Sequence, residues 1–235
     1  MNLLAIETSC EHGSIALRCG DSLLERAIEG NAAHSEQVLP LIRVLLAEAG
    51  LAVGQLDAVA FGSGPGAFTG LRLACGLAQG LALGAGIGVA PVVSLEALAL
   101  QEEGDRILVA TDARMGEIYH AAYLRSSNGG IHGAPLRTVA APGCCKPDDF
   151  AAPAGHWAGI GAAFGVYEDQ LASHLGPRLL SARAQAAPRA REVAALGALV
   201  LARGELLAPE LAAPLYVRDK VAFTTVERRA RGGKA

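Results

Sequence analysis

A strand-like run, Asp57-Ala58-Val59-Ala60-Phe61, opens into Gly62-Ser63-Gly64-Pro65-Gly66-Ala67-Phe68-Thr69-Gly70-Leu71-Arg72, which leads straight into an apolar helix. Strand, glycine turn and helix start are thus consecutive, which commits this part of the chain to an α/β unit. The layout is one that holds phosphate, because free backbone N–H groups and the helix dipole point at one spot. Its spacing matches neither the P-loop, which needs Lys-Ser/Thr at the helix start, nor the dinucleotide fingerprint GxGxxG. A tight strand-to-helix turn with no ligand is the plainer reading of the same residues.

Around this unit the chain reads as two similar halves. Asn2–Ser9 predicts a buried strand ending in small polar residues, and Gly13–Arg18 with Ser22–Ile28 predicts a hairpin about Cys19-Gly20-Asp21. His34–Ala49 has helical spacing at Val38, Leu41, Ile42, Leu45, Leu46 and Ala49, with Pro40 early and Gly50 as its C-terminal stop. The proline predicts a bent or late-starting helix. The second helix, Phe68–Leu83, carries a leucine row (Leu73, Leu77, Leu81) and a glycine row (Gly76, Gly80, Gly84). An interior helical glycine costs about 1 kcal/mol against alanine, so the row calls for close backbone approach, by the chain itself or by a second protein. A strand at Gly88–Val93 and a helix at Ser94–Glu102 complete the first half.

The second half opens with strands at 106–111 and 117–124 joined by Asp112-Ala113-Arg114-Met115-Gly116. A weaker strand at 136–140, a Pro/Gly-rich loop at 141–153, a strand at 156–160 and helices at 163–174 and 189–202 follow. The order predicts a duplicated β-β-β-α-β-α plan, the second copy abbreviated. The expected domains are 1–100 and 101–217, the last helix packing back on the first domain, followed by a basic tail, 218–235.

Composition narrows the functional classes. Half of the 235 residues are hydrophobic but only 4% are aromatic, so the core must be built from Ala, Leu, Val and Ile. The net charge of −3 gives no global attraction to nucleic acid. Its distribution is uneven, with four basic against nine acidic residues in 1–100 and six against two in 218–235. That tail reads as a solvated terminus or as a contact to phosphate. Five cysteines without CxxC or metal spacing, and no signal-like start, predict a reducing cytoplasm; the Cys144-Cys145 pair reads as incidental. The run Leu73–Val93 is long enough to suggest a membrane span, but its five glycines break it into helix, turn and strand.

Several stretches together resemble one family. Leu4-Ala5-Ile6-Glu7-Thr8-Ser9, His34-Ser35-Glu36 with Leu39-Pro40-Leu41-Ile42, Gly64–Arg72, Asp112–Tyr119 and Tyr216–Ala222 are similar to the TsaB (YeaZ-type) family over nearly the whole chain. The resemblance implies an α/β, actin-like and hexokinase-like ATPase (ASKHA) fold of two duplicated domains. It implies a non-catalytic subunit of the bacterial machinery that places threonylcarbamoyl on the adenosine beside the anticodon of tRNAs reading codons that begin with A. Its implied partners are the catalytic paralogue TsaD, the ATPase TsaE, tRNA through the complex, and a second copy when alone. It further implies that the first two helices form the partner interface. The expected contact residues are His34, Val38, Leu41, Ile42, Leu45, Phe68, Leu71, Arg72, Gly76 and Gly80.

Set beside that, the residues themselves weaken most chemistry. The paralogue's HxxxH metal pair corresponds to Ser94 and Leu98, which cannot form such a site. The six histidines fall in no ligand spacing, and His34 reads as a helix-end or interface polar contact. An ASKHA ATPase cradles phosphates in two small-residue turns. Here the first keeps hydroxyls at Thr8 and Ser9, while the second carries bulky Arg114 and Met115 beside Asp112. Residual ATP binding would use Thr8, Ser9, Asp112 and Arg114; a structural turn is the alternative. No GxSxG elbow accompanies Ser9, Ser35 or Ser63, and His34-Ser35-Glu36 is no triad, so a serine hydrolase is disfavoured. No cofactor and no catalytic residue is expected. The other reading is a stand-alone nucleotide-binding, kinase-like or ATP-hydrolysing enzyme of the same fold.

Overall fold

The structure, a computed structural model, describes residues 1–29, 34–126 and 135–218. The basic tail beyond Arg218 and His132 lie outside the described residues.

Two five-stranded mixed sheets carry the fold. The first is built from β1 (Asn2–Glu7), β2 (Ser14–Cys19), β3 (Ser22–Ala27), β4 (Ala58–Gly64) and β5 (Gly88–Val93), in the order β3-β2-β1-β4-β5. The second holds β6 (Arg106–Asp112), β7 (Ile118–Arg125), β8 (Leu136–Cys145), β9 (Trp157–Ile160) and β10 (Leu179–Arg183), in the order β10-β9-β6-β7-β8. Read from the other edge, the second order is that of the first. In both sheets an antiparallel three-strand meander is extended on the side of its first strand by parallel pairing. That is the duplication written in topology.

Alternation along the strands assigns the layers. Leu4, Ile6, Ile15, Leu17, Val59 and Phe61 point to one face of the first sheet, under α1 (His34–Glu48) and α2 (Phe68–Ala85). Leu3 and the small residues Ala5, Ala16, Ala58, Ala60 and Ala90 point to the other, under α6 (Ala190–Ala202). Small side chains let α6 lie close: a Cβ on Gly197 would stand 2.5 Å from that of Ala60. The scarcity of aromatic residues thus has a packing consequence. The reciprocal helix α3 (Ser94–Ala99) packs Leu95 and Leu98 beneath the second sheet, whose opposite face meets α4 (Ala163–Val166) and α5 (Glu168–Leu175).

Three expected boundaries are corrected and one strand is added. The strand expected to end at Phe61 continues through Gly62-Ser63-Gly64, paired with β5 across a register shift, so half of the glycine loop is buried strand. β8 runs to Cys145 through residues read as loop; Pro142 and Gly143 are tolerated because this is an edge strand with irregular register. The helix expected over 163–174 is two helices broken at Tyr167. The strand β10 was absent from the sequence reading. It is a short, exposed edge with Leu180 facing solvent, so it lacks the alternation that marks a half-buried strand. Among the described residues no helix is long and apolar enough to cross a membrane.

Candidate functional site

The glycine loop folds around the end of β1. A Cβ on Gly62 would stand 2.0 Å from the Glu7 carboxylate, one on Gly66 2.3 Å from the Ser9 carbonyl oxygen, and one on Gly70 1.8 Å from that of Thr8. The Thr8 hydroxyl donates to the Gly70 carbonyl (2.7 Å), and the Ala67 N–H donates to the Ser9 carbonyl (2.7 Å). Glycine is therefore required here for contact between two chain segments of the protein itself. Thr8 and Ser9, the hydroxyls of the first turn, are buried in that contact.

Glu7 sits at its centre, fully buried. Its Oε1 accepts from the Ser9 N–H (2.6 Å) and its Oε2 from the Ser94 hydroxyl (2.8 Å), whose oxygen accepts from the Gly64 N–H (3.2 Å). Burial raises its pKa above the ordinary 4.5, against the opposing hydrogen bonds from Ser9, Ser94 and Thr8. A raised native pKa favours the neutral acid in the folded state. The associated stability is complete below the unfolded pKa and is lost as pH rises through the folded one. Glu7→Gln keeps an acceptor for Ser9 and offers an N–H to Ser94. The variant is expected to match the parent below the ordinary carboxylate range and to exceed its melting temperature as pH rises above that range, as thermal unfolding against pH will read.

Between the two sheets lies a cleft of about 460 Å³, within the size range of small-molecule sites. One lip is the first turn, residues 9–12, and the other is the second turn, residues 112–114. In the second turn Arg114 and Met115 hold left-handed φ values of 60° and 59°, each costing on the order of 1–2 kcal/mol for a non-glycine residue. This geometry points Arg114 across the cleft, where it forms an ion pair with Glu11 while also pairing with Asp112 (3.1 Å). Asp112 additionally accepts from the Arg114 N–H (2.8 Å) and the Tyr167 hydroxyl (3.1 Å). The four residues considered for nucleotide are thus brought near one cleft, but each already has a protein partner. Glu11 and Asp112 add carboxylates at the point where a polyphosphate would need cations.

A metal fares no better with the residues present. Ser94 is engaged by Glu7 and Gly64, and Leu98 is fully buried in the core. Among the described residues no cluster of three or more His, Cys, Asp or Glu is arranged to hold an ion. His34 Nε2 meets the Glu11 carbonyl (3.2 Å), a helix-end contact. The five cysteines are free thiols; burial raises Cys144, and pushes Cys145 up to about 11 with help from its acidic neighbours, so neither is poised as a thiolate.

The comparisons with known proteins fit this geometry. Residues 29–224 match the family model described as TsaD: tRNA N6-adenosine threonylcarbamoyltransferase. The tRNA threonylcarbamoyladenosine biosynthesis protein TsaB of Escherichia coli K12 is 34% identical, the alignment covering 95% of this chain and 97% of that one. The chain belongs to the TsaB (YeaZ) family. The TsaB of Haemophilus influenzae is 40% identical over 53% of this chain and 55% of its own. Two Pseudomonas aeruginosa structures, one described as YeaZ and one as an uncharacterized protein similar to peptidase YeaZ, superpose with TM-scores of 0.80 and 0.82. They are 34% and 35% identical, each covering 92% of this chain and 99% of the neighbour. The two-sheet architecture is accordingly the two-domain ASKHA type.

Within this TsaB-family chain the expected interface residues divide. Val38, Ile42, Leu45 and Leu71 are at most 2% exposed and belong to the chain's own core, which corrects their assignment to a partner surface, while Leu41 is half-buried, packed against that core with part of it facing out. Helical periodicity marks the buried stripe first, and the outward face is its complement. On that face Phe68, Arg72, Gly76 and Gly80 are exposed, joined by Leu83, while α1 exposes Leu39 and Val44. A Cβ on Gly76, Gly80 or Gly84 would meet nothing within 4 Å. The Arg72 guanidinium stacks 3.9 Å from the Phe68 ring centre and its Nε–H donates to the Tyr216 hydroxyl (3.0 Å). Glu7, Glu11, Tyr216 and Arg218 were missed as site residues; each has a partner far away in sequence, and no periodicity announces them.

Proposed function

We propose that this TsaB-family protein is a non-catalytic scaffold in tRNA threonylcarbamoyladenosine synthesis, binding and activating the catalytic paralogue TsaD together with TsaE, with tRNA engaged through the complex. The observation that carries this reading is the glycine face of α2. Its leucine row packs on the sheet, whereas Gly76, Gly80 and Gly84 lie open beside exposed Phe68, Arg72 and Leu83. Helix interiors keep glycine at a cost unless another backbone must come close, and within the described chain none does. A helical partner fits that face, and a second copy could use it when the partner is absent. The family match supplies the pathway, and the paralogue is the natural helical partner for a surface shared by duplicated folds.

The test is co-purification with TsaD and TsaE followed by a threonylcarbamoyl transfer assay with each subunit omitted. Omitting this chain is expected to abolish transfer, and full activity without it would overturn the reading. The cleft volume favours one other reading, a nucleotide-binding or ATP-hydrolysing enzyme. Calorimetry with ATP and magnesium separates the two. Because Glu11 and Asp112 occupy Arg114, the expected result is no binding tighter than millimolar and no turnover; micromolar binding with turnover would favour the enzyme.

A further inference from the structure

The stretch after α6 runs back along the first sheet and ends across the mouth of the cleft. Leu207 bridges to Val89 through two backbone hydrogen bonds of 2.9 Å, the Ala212 carbonyl accepts from the Gln79 amide (3.1 Å), and the Leu215 N–H donates to the Ser63 carbonyl (2.8 Å). Tyr216 then stacks on Phe68 (5.7 Å between centroids) and accepts from Arg72, both on α2. Two residues later Arg218 has crossed to the second turn. It pairs with Glu117 (2.5 Å) and donates to the Ala113 carbonyl (2.9 Å). Its guanidinium lies 5.6 Å from the Tyr119 ring centre.

The opposite side of the cleft is where the chain passes between the sheets. There Gln101 donates to the Ala187 carbonyl (2.8 Å) and its own carbonyl accepts from Arg183 (2.5 Å), tying the two crossings together. A pair of bodies joined along one side opens at the other. At that other side the halves are bridged by the exposed Glu11–Arg114 pair and by the stretch ending at Arg218.

We propose that residues 215–218 are a latch that holds the two halves of the cleft together and mechanically couples the outward face of α2 to the second turn. Tyr216 is its anchor on α2 and Arg218 its anchor on the second half. The latch is a property of the isolated chain. Its consequence, that a protein seated on Phe68 and Tyr216 changes the opening of the cleft, rests on the scaffold reading.

The test is amide hydrogen exchange on the full chain carrying Arg218→Ala and, separately, Glu117→Gln, which attacks the same contact from the other side. Peptides over both lips, 8–12 and 111–118, are expected to exchange at least about tenfold faster, while strand interiors 3–6 and 107–110 keep the parent rate. Tyr216→Phe, which removes only the acceptor of Arg72, is expected to give a smaller change of the same pattern. Acceleration confined to 111–118 would mean a locally frayed turn and overturn the latch, as would unchanged exchange at both lips. Loss of binding to TsaD is a separate measurement, so failure of the scaffold reading would leave this result standing.

Discussion

Replacing Gly70 by alanine is expected to destabilise the chain by about 3 kcal/mol, the upper end for overpacking, whereas the same change at Gly80 on the same helix is expected to stabilise it by up to about 1 kcal/mol. The difference lies wholly in what the new methyl meets. At Gly70 it would stand 1.8 Å from the Thr8 carbonyl oxygen, a backbone atom fixed by β1 and by the Thr8–Gly70 hydrogen bond. Nothing flexible is available to yield, so the helix start or the strand end must move. At Gly80 it meets nothing within 4 Å and removes the conformational freedom that glycine gives the unfolded chain. For a chain of this size about 1 kcal/mol corresponds to roughly 2–4 °C in melting temperature. Thermal unfolding of the pair should therefore place them on opposite sides of the parent. Gly70→Ala as stable as Gly80→Ala would show that the loop is not held against Thr8.

The same pair of glycines shows what could be read from the sequence. Spacing identified α2 and both of its rows, because helical periodicity follows from local geometry. It could not separate Gly70, pressed on a distant strand, from Gly80, open to solvent; that distinction is a contact between residues far apart in sequence. The duplication was legible because each half repeats strand, polar turn and strand, and the shared strand order follows from it. Hidden were the elements whose residues do not alternate, such as the exposed edge β10, and those rich in turn residues, such as the end of β4. Thr8 and Ser9 were legible as the hydroxyls of a first turn, but the contacts of Glu7 and Glu11, which hold that region, were not. Burial makes the first unusual, and the left-handed backbone of Arg114 engages the second.

In this ASKHA-type fold both turns are filled by the chain's own contacts. Glycines that could open a backbone nest are consumed by Glu7, Thr8 and Ser9, and the cation of the second turn is held by two carboxylates. These internal contacts tie each turn to the rest of the chain. The first turn fixes the start of α2, since Gly66, Ala67 and Gly70 are all anchored on it. The direction of that helix, and with it the outward glycine face, is therefore set by the same residues that fill the first turn. On the proposed scaffold reading, the contacts that fill the first turn are also the ones that aim the partner-facing helix.

Gly80→Phe is expected to weaken association with the proposed TsaD partner by about 100-fold, roughly 2.7 kcal/mol, and to reduce threonylcarbamoyl transfer in proportion at limiting concentration, with little change in the melting temperature of the isolated chain. The position is exposed on α2 and clear of every other segment described, so a ring there disturbs no internal packing. Against a helix packed across the glycine row, however, it would hold the two backbones apart and strip contact from Leu83 on the same exposed face. A stable interface buries at least about 1,000 Å² in total, and separation of a close helix pair removes the well-packed centre on which most binding energy rests. Gly80→Ala serves as the graded control, since a methyl should cost far less than a ring. Titration of each variant against TsaD gives the binding ratio, and unchanged affinity for the phenylalanine variant would remove the glycine row from the interface.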